Sequence, residues 1–171
     1  MKSSILIKKK DKFFVEDVCI DSIIEKFSTP TYIYSKSRIE DNFKNLESAF
    51  KNVDHLICFA VKANSNLAIL NLLAKNGAGF DIVSGGELRR VIAADGDPKK
   101  IVFSGVGKTS EEIKLAIENN ILAFNIESED ELTRIQEIAK SLSKQASISI
   151  RVNPDVNANT HPYISTGLKE N

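Results

Sequence analysis

Hydrophobic positions in this chain follow two patterns that alternate from about residue 37 onward. Short apolar runs without polar alternation are typical of strands covered on both faces, as in a parallel sheet beneath helices. Apolar residues at intervals of three and four, typical of amphipathic helices, occupy the segments between these runs. The run at 55–61 shows the first of these two patterns, and further predicted strand segments lie at 79–83, 101–103, 121–126 and 147–152. They predict parallel strands separated by helices, with a repeat of roughly 22 residues.

Polar residues mark the beginnings of predicted helices. A Ser or Thr followed three residues later by Glu fits a capping box, in which hydroxyl and carboxylate satisfy backbone N–H groups at the helix start. These pairs are Ser37 with Glu40, Ser84 with Glu87, Thr109 with Glu112, and Ser128 with Glu131. Before residue 37 the chain differs. Segments 13–15 and 31–34 predict short strands, and 18–27 predicts a helix that Thr29-Pro30 ends.

This alternation of strands and helices predicts an α/β fold with right-handed crossovers. In a chain of 171 residues, the five predicted strands fit either an open doubly wound sheet or the first part of a (β/α)8 TIM barrel. A complete barrel needs about 200 residues or more. The hydrophobic pattern alone does not choose between the two architectures.

Composition narrows the classes of function. The chain has 23 Lys and Arg residues and 23 Asp and Glu residues. It therefore has no excess of positive charge that would favour binding to nucleic acid or to an anionic membrane. No apolar run approaches the roughly 20 residues of a transmembrane helix, and the N-terminal apolar run is too short for a signal peptide. Cys19 and Cys58 lie in apolar contexts without metal-ligand spacing, which predicts reduced thiols in a cytoplasmic protein.

Lys62 is the first candidate for chemistry. It follows the apolar run 55–61 directly, and a lysine is rarely buried unless it is paired or used. A neutral lysine amine forms Schiff bases with carbonyl compounds. The alternative is a strand that ends at the surface, with its lysine reaching into water. This stretch alone favours that alternative.

Two further charged residues are predicted to lie at the same sheet edge. Asp81 interrupts an apolar strand, and Arg151 lies near the end of the last predicted strand. The carboxyl ends of parallel strands form the ligand-binding edge in both candidate folds. The alternatives are a backbone hydrogen bond for Asp81 and a structural ion pair for Arg151. Glu87 is accounted for by its capping position.

Two other motifs point away from nucleotide and metal chemistry. The segment 104–109, Ser-Gly-Val-Gly-Lys-Thr, invites comparison with a phosphate-binding loop, but Val102 stands where a Walker A motif needs its first glycine. The segment therefore predicts a turn from a strand into a helix. His161 has no second histidine or carboxylate at metal-ligand spacing, so we expect no metal site.

Four motifs together resemble a known family. They are Phe-Ala-Val-Lys-Ala-Asn at 59–64, Gly-Phe-Asp-Ile-Val-Ser-Gly-Gly-Glu at 79–87, Ile-Val-Phe-Ser-Gly-Val-Gly-Lys at 101–108, and Arg-Val-Asn-Pro at 151–154. The set resembles the N-terminal part of diaminopimelate decarboxylases, which are alanine-racemase-like, fold-type III pyridoxal-phosphate enzymes. Ornithine and arginine decarboxylases share the first two motifs. The tail at 161–167, His-Pro-Tyr-Ile-Ser-Thr-Gly, resembles diaminopimelate decarboxylases more closely.

The resemblance implies the barrel rather than the open sheet. Residues 1–35 would belong to a β-domain, and residues 36–171 would form the first, truncated part of a barrel that binds pyridoxal 5′-phosphate. Lys62 matches the family's Schiff-base lysine, Asp81 a carboxylate beside the cofactor, and Arg151 a basic residue near it. Glu87 also matches a family position.

The implied reaction converts meso-2,6-diaminopimelate to L-lysine, the last step of lysine biosynthesis, in a homodimer whose active site lies between subunits. Family members are much longer than this chain, so we expect it to be an N-terminal part that is inactive alone. The alternatives are a decarboxylase of ornithine, arginine or carboxynorspermidine, and a non-catalytic relative that binds the cofactor or a partner.

Overall fold

A computed structural model describes residues 5–152 of the chain. These begin with a small antiparallel sheet of strands β1 (Leu6–Lys9), β2 (Lys12–Val15) and β3 (Val18–Cys19). Helix α1 (Ile20–Phe27) follows directly. The predicted helix at 18–27 therefore exists from Ile20, because its first two residues pair with β2 instead.

The main unit alternates strands and helices, as predicted. Its strands are β4 (Cys58–Ala60), β5 (Gly79–Ile82), β6 (Ile101–Phe103), β7 (Ala123–Ile126) and β8 (Ile148–Ile150). Its helices are α2 (Lys36–Phe50), α3 (Leu67–Lys75), α4 (Gly85–Ala93), α5 (Ser110–Glu118) and α6 (Glu129–Ser141), and short 3-10 turns lie at Val61–Ala63 and Pro98–Lys100.

Strand order decides between the two predicted architectures. The five strands lie in the order β4-β5-β6-β7-β8, and each neighbouring pair is parallel. In a doubly wound sheet the order reverses at a switch point, whereas in a (β/α)8 barrel it follows the chain. The sheet is therefore the first part of a barrel, and the α/β prediction is confirmed.

The two faces of this sheet differ in character. Register places Phe80, Ile82, Ile101, Phe103 and Phe124 on one face, where each is at most 1% exposed. Helices contribute Leu70, Leu88, Ile113 and Ile135 to the same core. The opposite face carries small or polar residues at the alternate positions: Ala60, Asp81, Val102, Ala123, Asn125 and Ser149. In the described part of the chain these six are half-buried or exposed.

Within residues 5–152 only the helix-facing side of the sheet is buried, and the opposite side is the inward face of a barrel to which these residues contribute five strands. The apolar run 55–61 is longer than its strand. Only Cys58–Ala60 pairs as β4, and the chain then turns into the 3-10 segment Val61–Ala63. That turn buries Val61 completely, so the end of the apolar run packs in a turn rather than in the sheet.

The connection before α2 departs from the prediction at two points. Segment 31–34 forms no strand, and its Tyr32 is 90% exposed, because aromatic residues favour a strand only where a neighbouring strand can pack against them. Helix α2 is capped by Ser35, whose Oγ accepts from Arg38 N at 3.1 Å, and not by Ser37. The Ser37 hydroxyl donates instead to Glu16 Oε1, at 2.8 Å.

The other predicted capping residues lie where expected, and Glu112 does more than cap its own helix. Its carboxylate accepts from Thr109 N at 3.0 Å and from Gly85 N, at the start of α4, at 2.7 Å. These two backbone hydrogen bonds lower the pKa of Glu112 from its ordinary value of 4.5, because they stabilise the charged form. Glu112 thus joins two neighbouring helix starts.

The Glu112→Gln variant of the complete protein is expected to be less stable than wild type at pH 7. Because the folded-state pKa is lowered, the carboxylate's contribution is present above pH 4.5 and is lost as pH falls through the folded value. Urea unfolding at pH 7 and pH 3.5 measures this. The difference between variant and wild type should shrink at the lower pH. Glu111→Gln, one residue earlier and exposed, is the matched control. An equal difference at both pH values would contradict the linkage.

Candidate active site

The carboxyl ends of β4 to β8 open into a polar cleft of about 550 Å³. The polar side chains that line it include Lys62, Asp81, Ser104, Asn125, Glu127 and Arg151. All three site residues predicted from the sequence therefore lie around one cleft. They come from three separate strand ends, which the parallel sheet brings to the same edge.

Lys62 lies one turn beyond the sheet, in the 3-10 segment that follows β4. The completely buried Val61 anchors this segment, while Lys62 itself is exposed. Within residues 5–152, the Lys62 amine makes no hydrogen bond or ion pair. Its side chain is therefore available to a ligand in the cleft.

Asp81 is held by a chain of side-chain hydrogen bonds. Ser104 Oγ donates to Asp81 Oδ1 at 2.5 Å, and Asn125 Nδ2 donates to Ser104 Oγ at 2.9 Å. The alternative for Asp81, a backbone amide donor, is not found among residues 5–152. The carboxylate is instead oriented by a hydroxyl group from the next strand.

Ser104 and Asn125 were not identified from the sequence as site residues. A signal for Asn125 did exist, because it interrupts the apolar run 121–126 as Asp81 interrupts 79–83. Strand alternation then places both on the face opposite the helices. Ser104 follows β6 directly and donates its backbone N–H to Ile82 O at 2.8 Å, which continues the sheet pairing.

Cys58 lies two residues before Ala60 on β4 and therefore on the same side of the sheet as Asp81. The Asp81 carboxylate acts electrostatically on the Cys58 thiol. Burial raises the pKa of the Cys58 thiol, and the Asp81 carboxylate raises it further, because both disfavour a thiolate. Both cysteines are free and half-buried. Cys58 is therefore a poor nucleophile, and Lys62 is the better candidate for covalent chemistry in this cleft.

Arg151 follows β8 by one residue and donates its backbone N–H to Ile126 O at 3.1 Å. Its Nη1 lies 3.3 Å from both carboxylate oxygens of Glu127. The predicted ion-pair alternative is therefore present, yet the side chain remains 58% exposed. A guanidinium has five N–H donors, so the remaining donors can face a ligand while Glu127 holds the group in place.

Glu87 does not line the cleft. Its backbone N–H donates to Ser84 Oγ at 3.2 Å, and its Oε2 accepts from Val83 N at 2.7 Å, so it caps the start of α4 as predicted. His161, the tail at 161–167 and residues 153–154 lie outside the described residues.

One buried ion pair behind the cleft was missed by sequence reasoning. Lys108 Nζ lies 2.7 Å from Glu131 Oε1. The sequence pattern explained Lys108 as part of a strand-to-helix turn and Glu131 as a capping residue, and it gave no sign that the two meet. Among residues 5–152, no group of three or more His, Cys, Asp or Glu residues could hold a metal ion. No helix there is long and apolar enough to cross a membrane.

Comparison with known proteins agrees with the resemblance. Residues 36–171 match the model of the family described as pyridoxal-dependent decarboxylase, pyridoxal binding domain. Diaminopimelate decarboxylase of Pseudomonas fluorescens is 59% identical over 161 residues, which cover 94% of this chain and 39% of that protein. The Haemophilus influenzae enzyme is 56% identical over 163 residues, 95% of this chain and 39% of that protein. The chain thus spans about two fifths of the length of these relatives.

Solved structures give the same result for the fold. Diaminopimelate decarboxylase from M. jannaschii has a TM-score of 0.89 at 45% identity, covering 97% of this chain and 40% of the other. The Helicobacter pylori enzyme, solved in complex with L-lysine, has a TM-score of 0.84 at 51% identity, covering 89% and 39%. The Paramecium bursaria Chlorella virus arginine decarboxylase, at 22% identity and a TM-score of 0.72, shares the fold. The chain therefore belongs to the pyridoxal-dependent decarboxylase family and carries sequence of its pyridoxal-binding domain from residue 36 to residue 171.

Proposed function

We propose that the complete protein decarboxylates meso-2,6-diaminopimelate to L-lysine, with pyridoxal 5′-phosphate held by Lys62. The observation that carries this proposal is the free Lys62 amine at a cleft that it shares with Asp81 and Arg151. The chain is 59% identical to one diaminopimelate decarboxylase and 52% identical to another, which supports this substrate over those of other family members.

The cleft suits the chemistry of this cofactor. Pyridoxal phosphate carries an aldehyde that a lysine amine can bind covalently, and polar ring substituents that need hydrogen-bond partners. Lys62 supplies the amine, and Asp81 with Ser104 supplies an oriented polar pair. Arg151 offers spare donors to an anionic oxygen. The volume of about 550 Å³ is in the usual range for small-molecule sites.

Each residue then has a specific task. When bound, the cofactor supplies an electron sink for the electron pair that remains on the substrate carbon after its bond to CO₂ breaks. A proton takes the place of CO₂ on that carbon, which gives lysine. Lys62 would hold the cofactor through its side-chain amine. Asp81, fixed by Ser104, places a negative charge that stabilises positive charge in the cleft. Arg151, which forms an ion pair with Glu127, would bind an anionic group in the same cleft.

A substrate panel tests this proposal on the complete protein reconstituted with pyridoxal phosphate. Release of CO₂ and formation of product are measured with diaminopimelate, ornithine, arginine and carboxynorspermidine. We expect the highest kcat/KM for diaminopimelate, with lysine as product. A higher kcat/KM for any other member of the panel would overturn the substrate assignment. Cofactor binding without turnover of any substrate would instead favour a non-catalytic relative.

We also propose an organisation for the complete protein. Residues 1–35 would join a β-domain and residues 36–171 would begin the barrel, a boundary supported by the family match that starts at residue 36. The separate antiparallel sheet of β1 to β3 agrees with such a division. The protein would act as a cytoplasmic homodimer with its active site between subunits. Light scattering of the purified complete protein tests the dimer, and a monomeric mass with full activity would overturn it.

A further inference from the structure

The ion pair between Lys108 and Glu131 is fully enclosed and fully hydrogen-bonded. The Lys108 side chain is 0% exposed and that of Glu131 is 8% exposed. Lys108 Nζ donates to Glu131 Oε1 at 2.7 Å, to Gly105 O at 2.7 Å and to Asn125 O at 2.8 Å. An ammonium group has three donors, so each one has an acceptor here. The amine therefore has no hydrogen left to donate to a ligand. Its role is to hold the three groups that accept its hydrogen bonds.

The pair holds the main chain at the end of β7 on both sides of Ile126. Lys108 binds the carbonyl of Asn125, and Glu131 Oε2 accepts from the backbone N–H of Glu127 at 2.8 Å. Ile126 itself is 5% exposed and packs in the core. Three consecutive residues are thus fixed, two by the ion pair and one by apolar packing.

Asn125 and Glu127, on either side of Ile126, are each connected to a charged residue of the cleft. Asn125 donates to Ser104, which donates to Asp81. Glu127 holds Arg151. We call the first set the Asp81 arm and the second set the Arg151 arm. Both arms begin at main-chain atoms that the Lys108–Glu131 pair holds.

Stability alone is a weak reason for such a pair. Moving two charges out of water is costly, and well-packed apolar residues of similar volume are often as stable or more stable in their place. An apolar replacement, however, cannot bind the Asn125 carbonyl and the Glu127 N–H. We propose that Lys108 and Glu131 are positioning residues that hold the Asp81 arm and the Arg151 arm in register for cofactor and substrate. This inference rests on the proposed function, because the arms are those of its candidate site.

Lys144 provides a matched control. Its Nζ also makes three hydrogen bonds, to Ile117 O at 3.2 Å, Glu118 O at 3.0 Å and Asn120 Oδ1 at 3.0 Å. These acceptors lie at the end of α5, at the opposite edge of the sheet from the cleft. Lys144→Met therefore also removes three hydrogen bonds of a lysine, here an exposed one bonded to two carbonyls and an amide oxygen, without touching either arm.

The test compares the Lys108→Met/Glu131→Leu double variant with Lys144→Met in the complete protein. Three quantities are measured: the melting temperature of the cofactor-free protein, the Kd for pyridoxal phosphate from titration of that protein, and kcat and KM for diaminopimelate. For the double variant we expect a folded cofactor-free protein with a lowered melting temperature, because the Gly105 and Asn125 carbonyls and the Glu127 N–H lose their partners. We also expect a Kd at least about tenfold higher and a kcat about 10- to 100-fold lower, since small misplacements cost rate steeply. For Lys144→Met we expect wild-type Kd and kcat. Wild-type Kd and kcat in the double variant would overturn the proposal.

A double-mutant cycle separates positioning from general loosening. If the pair acts through the Asp81 arm, Asn125→Ala should raise the Kd much less in the double variant than in wild type. Equal effects in the two backgrounds would overturn that route. Should the double variant not fold, Glu131→Gln carries the same test, because its amide cannot accept at both former oxygen positions. Its expected result is again a raised Kd, and an unchanged Kd and kcat would overturn the proposal.

The outcomes distinguish this inference from the proposed function. A wild-type protein that binds no pyridoxal phosphate would refute the proposed function. A wild-type protein that binds and turns over normally, with pair variants that do the same, would refute only the positioning role.

Discussion

Replacement of Lys62 by alanine is expected to eliminate lysine production by the complete protein, with a loss on the order of 10³-fold or more, as when one member of a catalytic unit is removed. Lys62 is exposed at the cleft, and its amine has no competing partner within residues 5–152. Asp81 and Arg151, the other two proposed site residues, carry a carboxylate and a guanidinium, so neither can replace the primary amine that a Schiff base needs. The cofactor's visible absorption band from the Schiff base should disappear together with the activity.

Absorbance spectra and lysine formation measure both effects on the same preparation. Lys75→Ala is the matched control, because Lys75 is also exposed but lies in the last turn of α3, away from the cleft. The control should keep the band and wild-type kcat. The melting temperature of Lys62→Ala without cofactor should equal that of wild type, since an exposed side chain contributes little to the core. A Lys62→Ala protein that keeps both the band and lysine production would refute the assignment.

The largest effect on stability is expected from Phe103→Ala, about 3–5 kcal/mol of the free energy of unfolding. Phe103 is completely buried between the sheet and its helices. Its ring stacks on Phe124 with 5.9 Å between centroids. It also lies 5.6 Å from Lys108 Nζ, so its loss removes an aromatic partner from the buried ammonium group. Removing the ring leaves a cavity, whose cost adds to the lost burial of the side chain.

Urea unfolding of the complete protein measures this loss. Phe27→Ala makes the same chemical change at a side chain that is 64% exposed, and it should cost no more than about 0.5 kcal/mol. A loss below about 1 kcal/mol for Phe103→Ala would show that this face of the sheet is not the core that the structure indicates.

The repeating part of the fold could be predicted because its signals are local. An apolar run bounded by turn residues indicates a strand wherever it occurs, and a Ser or Thr with Glu three residues later indicates a helix start. The starts of α4, α5 and α6 follow Ser84, Thr109 and Ser128 as expected. The common edge for Lys62, Asp81 and Arg151 followed from parallel strands alone.

The failures came from contacts between residues far apart in the chain. Ser37 loses its predicted capping role because Glu16, 21 residues earlier, takes its hydroxyl. Segment 31–34 has the composition of a strand but pairs with none among the described residues. Lys108 meets Glu131 across 23 residues. Each of these outcomes depends on which elements pack together, and a local pattern carries no such information.

Reduction with borohydride identifies the lysine that binds the cofactor. The complete protein is loaded with pyridoxal phosphate and reduced, which converts the carbon–nitrogen double bond between cofactor and lysine into a stable single bond. Proteolysis and mass spectrometry then locate the label. We predict that the phosphopyridoxyl group is found on the peptide that contains Lys62, and on no other lysine. Stoichiometric label at a different lysine, or bound cofactor that borohydride never fixes to the protein, would show that Lys62 is not the point of covalent attachment.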